Sequence, residues 1–238
     1  MALYKEKQMK RRINTLMERK HIHGYPAFLR LLASNPRELA EFIDYITINV
    51  TEFFRTPEHW AAFEAELSHD LILHAQKPLR IWSCACSTGE EPYSLAISLL
   101  QHLQPGEFQI IATDIDEKVL QKASSGIYEE RSLLLPEMIK ERFFTRHGSS
   151  WAVSRELRSC VTFRRLDLLK DPYPPSCDVI VCRNVLIYFT DEAKERMYVR
   201  FRESLAPGGF LFTGNAEQIV YYKKYGYQKI RSFLYRRP

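Results

Sequence analysis

Long apolar runs are missing from this chain. No stretch approaches the roughly 20 consecutive apolar residues needed to span a bilayer. The basic N-terminus, Met1 to Arg12, has no apolar segment of the kind a secretory signal carries. A soluble cytoplasmic protein, without membrane insertion, is the resulting expectation. The five cysteines, Cys84, Cys86, Cys160, Cys177 and Cys182, form an odd, scattered set with no disulfide framework. They join no regular Cys/His spacing, so no metal site is expected, and they read as small buried hydrophobes in a reducing compartment. Glycine is scarce too, at nine residues. Neither the G-x-G-x-x-G of a dinucleotide site nor the Gly-Lys-Ser/Thr of a P-loop occurs, which sets aside both of those phosphate-binding solutions.

What is present is an ordinary globular composition, 45% apolar and 26% charged over 238 residues, enough for one large domain and a small one. The net charge of +5 hides a segregation. Met1 to Arg30 carries eight Lys/Arg against two Glu, and Tyr221 to Pro238 carries six Lys/Arg and no acid, so the middle is acidic. A basic terminus suits an acidic partner, whether nucleic acid, anionic lipid or a glutamate-rich protein surface; a solvated helix face is the plainer reading.

Hydrophobic periodicity predicts a helix over residues 3–20, with Met9, Ile13, Leu16 and Met17 on one side and Lys5, Arg12 and Arg19 on a basic stripe. Gly24 and Pro26 end it. A second helix is expected from about Ala27 to Leu32, and Ser34-Asn35-Pro36 opens a third carrying Leu39, Phe42, Ile43 and Ile46. From Leu79 the texture changes to short apolar runs alternating with helical stretches. Strands are predicted at Leu79–Cys84, Phe108–Thr113, Cys177–Cys182 and Gly209–Thr213, and helices at Pro92–Leu103, Glu117–Ser124 and Glu192–Leu205. Such alternation implies a mostly parallel sheet covered on both faces. One stretch, residues 143–166, breaks the pattern and reads as a small antiparallel insertion built from Trp151-Ala152-Val153 and Val161-Thr162-Phe163.

In an open α/β sheet, ligands sit at the carboxyl ends of strands. The first strand runs into Cys84-Ala85-Cys86-Ser87-Thr88-Gly89-Glu90-Glu91-Pro92-Tyr93. Two glutamates at a helix start suit the helix dipole and would repel a phosphate placed there. The loop therefore suits a phosphate-free cofactor with a positive centre, such as a sulfonium with an amino-acid tail. The second strand ends in Thr113-Asp114-Ile115-Asp116. Asp114 is the better ribose acceptor, and Asp116 also reads as a helix cap. Asp167 and Leu168 precede the fourth strand and suit an adenine amino group and ring face. That strand delivers Arg183-Asn184-Val185-Leu186-Ile187-Tyr188. Polar residues at the end of a buried strand mark a site, and Tyr188 puts a hydroxyl close to the reacting centre unless it is core.

Taken together, INVTEFFR (48–55), CSTGEEPYSLAI, ATDID, DVIVCRNVLIYF and PGGFLFTGNAE, in this order and spacing, resemble the chemotaxis receptor glutamate methyltransferases of the CheR type, over nearly the whole chain. The resemblance implies a Rossmann-like class I methyltransferase sheet with a small N-terminal all-helical domain and a small antiparallel β insertion. It implies S-adenosylmethionine as cofactor and glutamyl methyl esters on chemotaxis receptors as product. By motif position it places the cofactor on Asn49, Thr51, Arg55, Glu91, Asp114, Asp167, Leu168, Asn184 and Val185, and the acceptor carboxylate on Arg55 and Tyr188. The domain expectation is 1–47 helical and receptor-docking, lacking the first helix that members usually carry. A linker at 48–78 contributes to the cofactor site, and 79–238 is the methyltransferase domain with its insertion at about 143–166. The insertion resembles the subdomain that docks a receptor tail in some members. The basic first helix would meet glutamate-rich methylation helices through Lys10, Arg11, Arg12 and Arg19, with the enzyme a monomer. Two rivals are weighed. A base-amino methyltransferase would want an Asn/Asp-Pro-Pro-aromatic motif where Arg183-Asn184-Val185-Leu186 stands, so no nucleic-acid substrate is expected. A non-catalytic regulator would not need the full residue set.

Overall fold

The computed structural model describes residues 3–46, 51–66 and 78–238. The chain divides into two compact units, Met1–Val50 with Tyr188–Lys194, and Thr51–Ile187 with Glu195–Pro238. No helix among the described residues is long and apolar enough to cross a membrane.

The smaller unit is helical. Helix α1 spans Glu6–Arg19, α2 Tyr25–Ser34 and α3 Pro36–Ile46. Proline at the start of α2 supplies a fixed φ and lacks an N–H that would go unsatisfied there. The Asn35 side chain caps α3 by accepting from the Arg37 and Glu38 amides at 3.0 and 3.3 Å. Leu16, Met17, Phe28 and Leu32 form a thin buried core, with Phe28 edge-on to Phe42 at 5.4 Å. The same unit takes in the segment after residue 187. Tyr4 bridges Phe189 in antiparallel fashion, the Lys5 amide donates to the Tyr188 carbonyl at 2.9 Å, and the Thr190 amide donates to the Leu3 carbonyl at 2.9 Å.

The basic stripe on α1 is partly spent inside this unit. The guanidiniums of Arg12 and Arg19 lie over the Tyr45 ring at 5.0 and 5.6 Å, and Arg12 also donates to the Tyr45 carbonyl. Lys10 pairs with Glu6 one turn away. Of the four residues expected to face an acidic partner, Arg11 is exposed and makes no such contact among the described residues of its unit.

The larger unit starts with α4 (Pro57–Glu66) and then alternates strands with helices. In chain order these are β1 (Leu79–Cys84), α5 (Glu90–Leu99), β2 (Phe108–Asp114), α6 (Glu117–Ser125), β3 (Ile127–Glu129), α7 (Glu137–Phe143), β4 (Phe144–His147), β5 (Ser150–Val153), α8 (Arg155–Ser159), β6 (Val161–Arg165), β7 (Cys177–Cys182), α9 (Asp191–Ser204), β8 (Leu205–Thr213), β9 (Gln228–Arg231) and β10 (Leu234–Arg236). The main sheet has the order β6-β2-β1-β7-β8-β10-β9. The first five strands are mutually parallel, and β10 runs antiparallel between β8 and β9. This is the mixed, Rossmann-like α/β sheet expected. Strands β1 and β7 are buried along nearly their whole length, as central strands of a parallel sheet covered on both faces are. All five cysteines are buried free thiols, four of them in or beside these strands and the fifth, Cys160, just before β6.

The antiparallel insertion differs from the reading of residues 143–166. Its three strands are β3, β5 and β4, in that order. Val161–Phe163 is not part of it; these residues open β6, which pairs in parallel with β2 at the edge of the main sheet. An edge strand is paired on one side, so Val161–Arg165 is only partly buried and its alternating pattern imitates a hairpin strand. The missing third strand is Ile127–Glu129, which forms by pairing with Ser150–Ala152.

Candidate functional site

From β1 the chain winds one way through β2 to β6, then returns to place β7 and β8 on the other side of β1. The order reverses between β1 and β7. Outside the carboxyl ends at such a reversal, diverging loops leave a crevice for a ligand. The ends of β6, β2, β1 and β7 deliver Asp167-Leu168, Asp114, Ala85–Gly89 and Arg183–Val185 to this edge.

The loop after β1 is wound tightly. Ala85 and Ser87 have positive φ, and Gly89 has φ 96 at the N-cap of α5. A Cβ on Gly89 would lie 2.9 Å from both the Ala123 Cβ and the Tyr128 hydroxyl, so the close approach of α6 and β3 requires glycine there. Asp114 locks the turn from below: its carboxylate accepts from the Ser87 amide at 2.8 Å and the Asp116 amide at 3.0 Å. Asp116 caps α6 through the Lys118 amide at 2.9 Å, whereas Asp114 is the aspartate bonded to the loop after β1. The Ser87 hydroxyl is buried and has no hydrogen-bond partner among the described residues.

Two buried glutamates begin α5. Glu90 accepts from the Thr88 hydroxyl at 2.7 Å. Glu91 accepts from the Ser83 hydroxyl at 2.9 Å and faces the Arg183 guanidinium at 3.5 Å. Burial raises the pKa of Glu90, Glu91 and Asp114 above the ordinary carboxylate value; Arg183 and Ser83 oppose the shift at Glu91, and the two amides oppose it at Asp114. Carboxylates held this way in a confined crevice favour a cationic ligand. An orphaned serine hydroxyl and an acid-lined helix start without a phosphate-binding lysine fit a phosphate-free, positively charged cofactor.

Beyond β6, the Leu166 amide donates to the Asp114 carbonyl at 2.9 Å, tying the two strand ends together. Asp167 accepts from the Leu169 amide at 2.9 Å, and Leu168 is buried while its carbonyl accepts from Tyr173 and Arg200. After β7, Asn184 takes a left-handed conformation with φ 60, and Asn184 and Val185 are half-buried. Their loop is held by Glu217, a residue that sequence reasoning missed. Its buried carboxylate accepts from the amides of Asn184, Leu186 and Gly214 at 2.6, 2.7 and 2.8 Å. A Cβ on Gly214 would collide with that carboxylate.

The segment preceding α4 is pinned at several points. Phe53 packs edge-on against Tyr128 and Phe144 at 5.0 and 5.6 Å. The Phe54 amide donates to the Ser94 hydroxyl at 2.9 Å, and the Arg55 carbonyl accepts from the Trp60 indole at 3.1 Å and from Arg183 at 2.6 Å. Thr51 and Arg55 are half-buried. Asn49 lies outside the described residues. Tyr188 closes a short 3-10 turn, Leu186–Tyr188, and belongs to the helical unit, where its carbonyl is fixed by the Lys5 amide. Among the described residues, no group of three or more His, Cys, Asp or Glu is placed to hold a metal. His59 stacks on Phe233 at 3.9 Å, and burial, followed by the charge of Arg183, lowers its pKa.

With this geometry in hand, comparison with known families is decisive. Residues 49–233 match the model described as CheR methyltransferase, SAM binding domain, and residues 1–47 match CheR methyltransferase, all-alpha domain. The chain belongs to the CheR methyltransferase family. The chemotaxis protein methyltransferase of Listeria monocytogenes is 42% identical over 236 residues, covering 99% of this chain and 90% of that protein. Chemotaxis protein methyltransferase 2 of Vibrio cholerae is 38% identical over 90% of this chain and 77% of its own length. The chemotaxis protein methyltransferase of Escherichia coli K12 is 39% identical over 83% of this chain and 71% of its own length. As a CheR methyltransferase, the chain uses S-adenosylmethionine as methyl donor, in keeping with the phosphate-free, acid-lined crevice.

Proposed function

We propose that this CheR methyltransferase esterifies the γ-carboxylate of glutamate side chains in cytoplasmic segments of chemotaxis receptors. S-adenosylmethionine bound in the crevice supplies an electrophilic methyl group on a sulfonium. The new bond is carbon to carboxylate oxygen, the broken bond is carbon to sulfur, and the sulfur keeps the electron pair as S-adenosylhomocysteine.

The observation that carries the reading is the largely buried carboxylate pair at one edge of the sheet, Glu91 and Asp114 beside the loop after β1, with the Arg55 backbone joined to Glu91 through Arg183. In this reading Glu91 receives the cationic end of the cofactor, Asp114 the ribose hydroxyls, and Asp167 with Leu168 the adenine. Asn49, Thr51, Asn184 and Val185 complete the enclosure. Arg55 orients the acceptor carboxylate, and Tyr188 steers one of its oxygens. A glutamate is already ionised at neutral pH, so no general base is required. Catalysis then rests on alignment of two reactants, for which effective molarities are large. The helical domain at 1–47 docks the receptor as a monomer's basic face, the linker at 48–78 reaches the cofactor, and the domain at 79–238 carries out the transfer.

The test is incubation of the full chain with methyl-labelled S-adenosylmethionine and receptor cytoplasmic fragments. Label released as methanol in mild base supports a glutamyl ester. Label that survives base, or none on the fragments, overturns the assignment.

A further inference from the structure

Arg183 stands where three features of the site meet. Its side chain is 2% exposed, with the guanidinium over the Phe212 ring at 4.9 Å and over the Trp60 ring at 5.6 Å, the two rings meeting edge to face. One terminal nitrogen donates to the Arg55 carbonyl and the other faces Glu91. Its Nε has no hydrogen-bond partner among the described residues, so the group is not placed for its own satisfaction. Burying a cation this far is costly unless it is paired.

The backbone that it holds is strained. Phe54 and Thr56, on either side of Arg55, both have positive φ, at 51 and 63°. Non-glycine residues rarely adopt this region and persist there only where the surroundings over-determine them. The Arg55 carbonyl, between the two, is fixed by Arg183 and Trp60, and the Phe54 amide by Ser94. Arg183 thus joins the strained Arg55 turn to Glu91, which lies on the cofactor side.

We propose that Arg183 is a positioning residue that transmits occupation of the crevice at Glu91 to the placement of Arg55. The proposal rests on the reading that Glu91 meets the cofactor and Arg55 the acceptor. When a cation engages Glu91, the carboxylate shifts its share of interaction with Arg183, and the guanidinium fork adjusts its grip on the Arg55 carbonyl. Lysine at this position keeps the charge but cannot address a carbonyl and a carboxylate in one planar fork.

Hydrogen exchange of the full chain tests this without turnover, using S-adenosylhomocysteine as the probe. In the native protein the probe should slow exchange of the Phe54 amide. In Arg183→Lys that amide should exchange about tenfold faster, the scale of one lost hydrogen bond. The slowing by the probe should also vanish, while Ile110 and Val179 in the sheet stay protected. Unchanged exchange at Phe54, or equal slowing in both proteins, overturns the proposal. If Arg183→Lys also loses sheet protection, Trp60→Phe decides: it removes the second donor to the Arg55 carbonyl and should accelerate the same amide, and no acceleration overturns the proposal. In turnover, Arg183→Lys should lower kcat in the native background and add nothing in Arg55→Ala; a further loss there overturns it. Absence of base-labile label with the native protein would instead defeat the glutamate reading, and the exchange result would still decide the role of Arg183.

Discussion

The crevice of the sheet unit and the surface of the helical unit both carry many charges, but they handle them in opposite ways. In the crevice, Glu91, Asp114 and Glu217 are largely buried, and their carboxylates hold backbone amides, a serine hydroxyl or a buried guanidinium in place. In the helical unit, Lys20 meets Glu38 and Glu41 at 2.5 and 2.7 Å, and Lys10 meets Glu6, all at least partly in solvent. The first pattern fixes geometry for a small ligand and is only weakly screened by salt. The second contributes little to stability and leaves a surface whose interactions salt weakens. Binding of a small cation and docking of a large acidic partner call for different charge placement, and the two charge patterns lie in different units of this chain.

Substitutions can break that contrast, beginning with Glu217. Glu217→Ala leaves the amides of Asn184, Leu186 and Gly214 without their buried acceptor, and unsatisfied groups of this kind cost about 1–3 kcal/mol each. Chemical denaturation should show a loss of about 3 kcal/mol or more, and a loss under about 1 kcal/mol would mean that the loop repacks at little cost. Next comes Glu91→Gln, which should weaken S-adenosylmethionine binding about tenfold to a hundredfold in calorimetry, the scale for one charge-assisted contact. The pH response has a defined sign. Glu91 and Asp114 have folded-state pKa values raised by burial, so in the ligand-free protein their contribution to stability is present at acid pH and lost as pH rises through those values. A cationic ligand requires them ionised. Its affinity, and the melting-temperature increase it produces, should fall as pH drops through the same window, and Glu91→Gln should flatten that dependence. Lys20→Met has the smallest expected effect. It removes two partly exposed pairs and should cost less than about 1 kcal/mol, a difference that high salt abolishes.

Much of the sheet was legible because β1 and β7 are short apolar runs bounded by polar loops, which only burial on both faces explains. The positions of Asp114 and of the Arg183-Asn184 pair followed from the same reading, since each stands at the end of such a run. Two elements were not legible for physical reasons. β6 alternates buried and exposed residues as an edge strand does, and β3 is a three-residue piece that exists only through its pairing with β5. Glu217 hid for another reason. A glutamate shortly after a strand end reads as solvated, and the amides that it collects at Asn184 and Leu186 lie more than 30 residues earlier. Arg183 was visible as a polar residue at the end of a buried strand, but its contact with the Arg55 carbonyl spans 128 positions and has no local signature. For Arg12 and Arg19 the spacing showed the stripe but not the ring that lies beneath it. Their seven-residue spacing marks one helix face, yet that face is shared with Tyr45 of the same unit.

The claim that binding and positioning fall to different residues is tested most directly by Arg55→Ala, comparing kcat on receptor fragments with the calorimetric affinity for S-adenosylmethionine. The account expects kcat to fall about a hundredfold, as misplacement of a reactant does, with cofactor affinity held within about threefold. An unchanged kcat, or a loss of affinity as large as the loss of turnover, would contradict it.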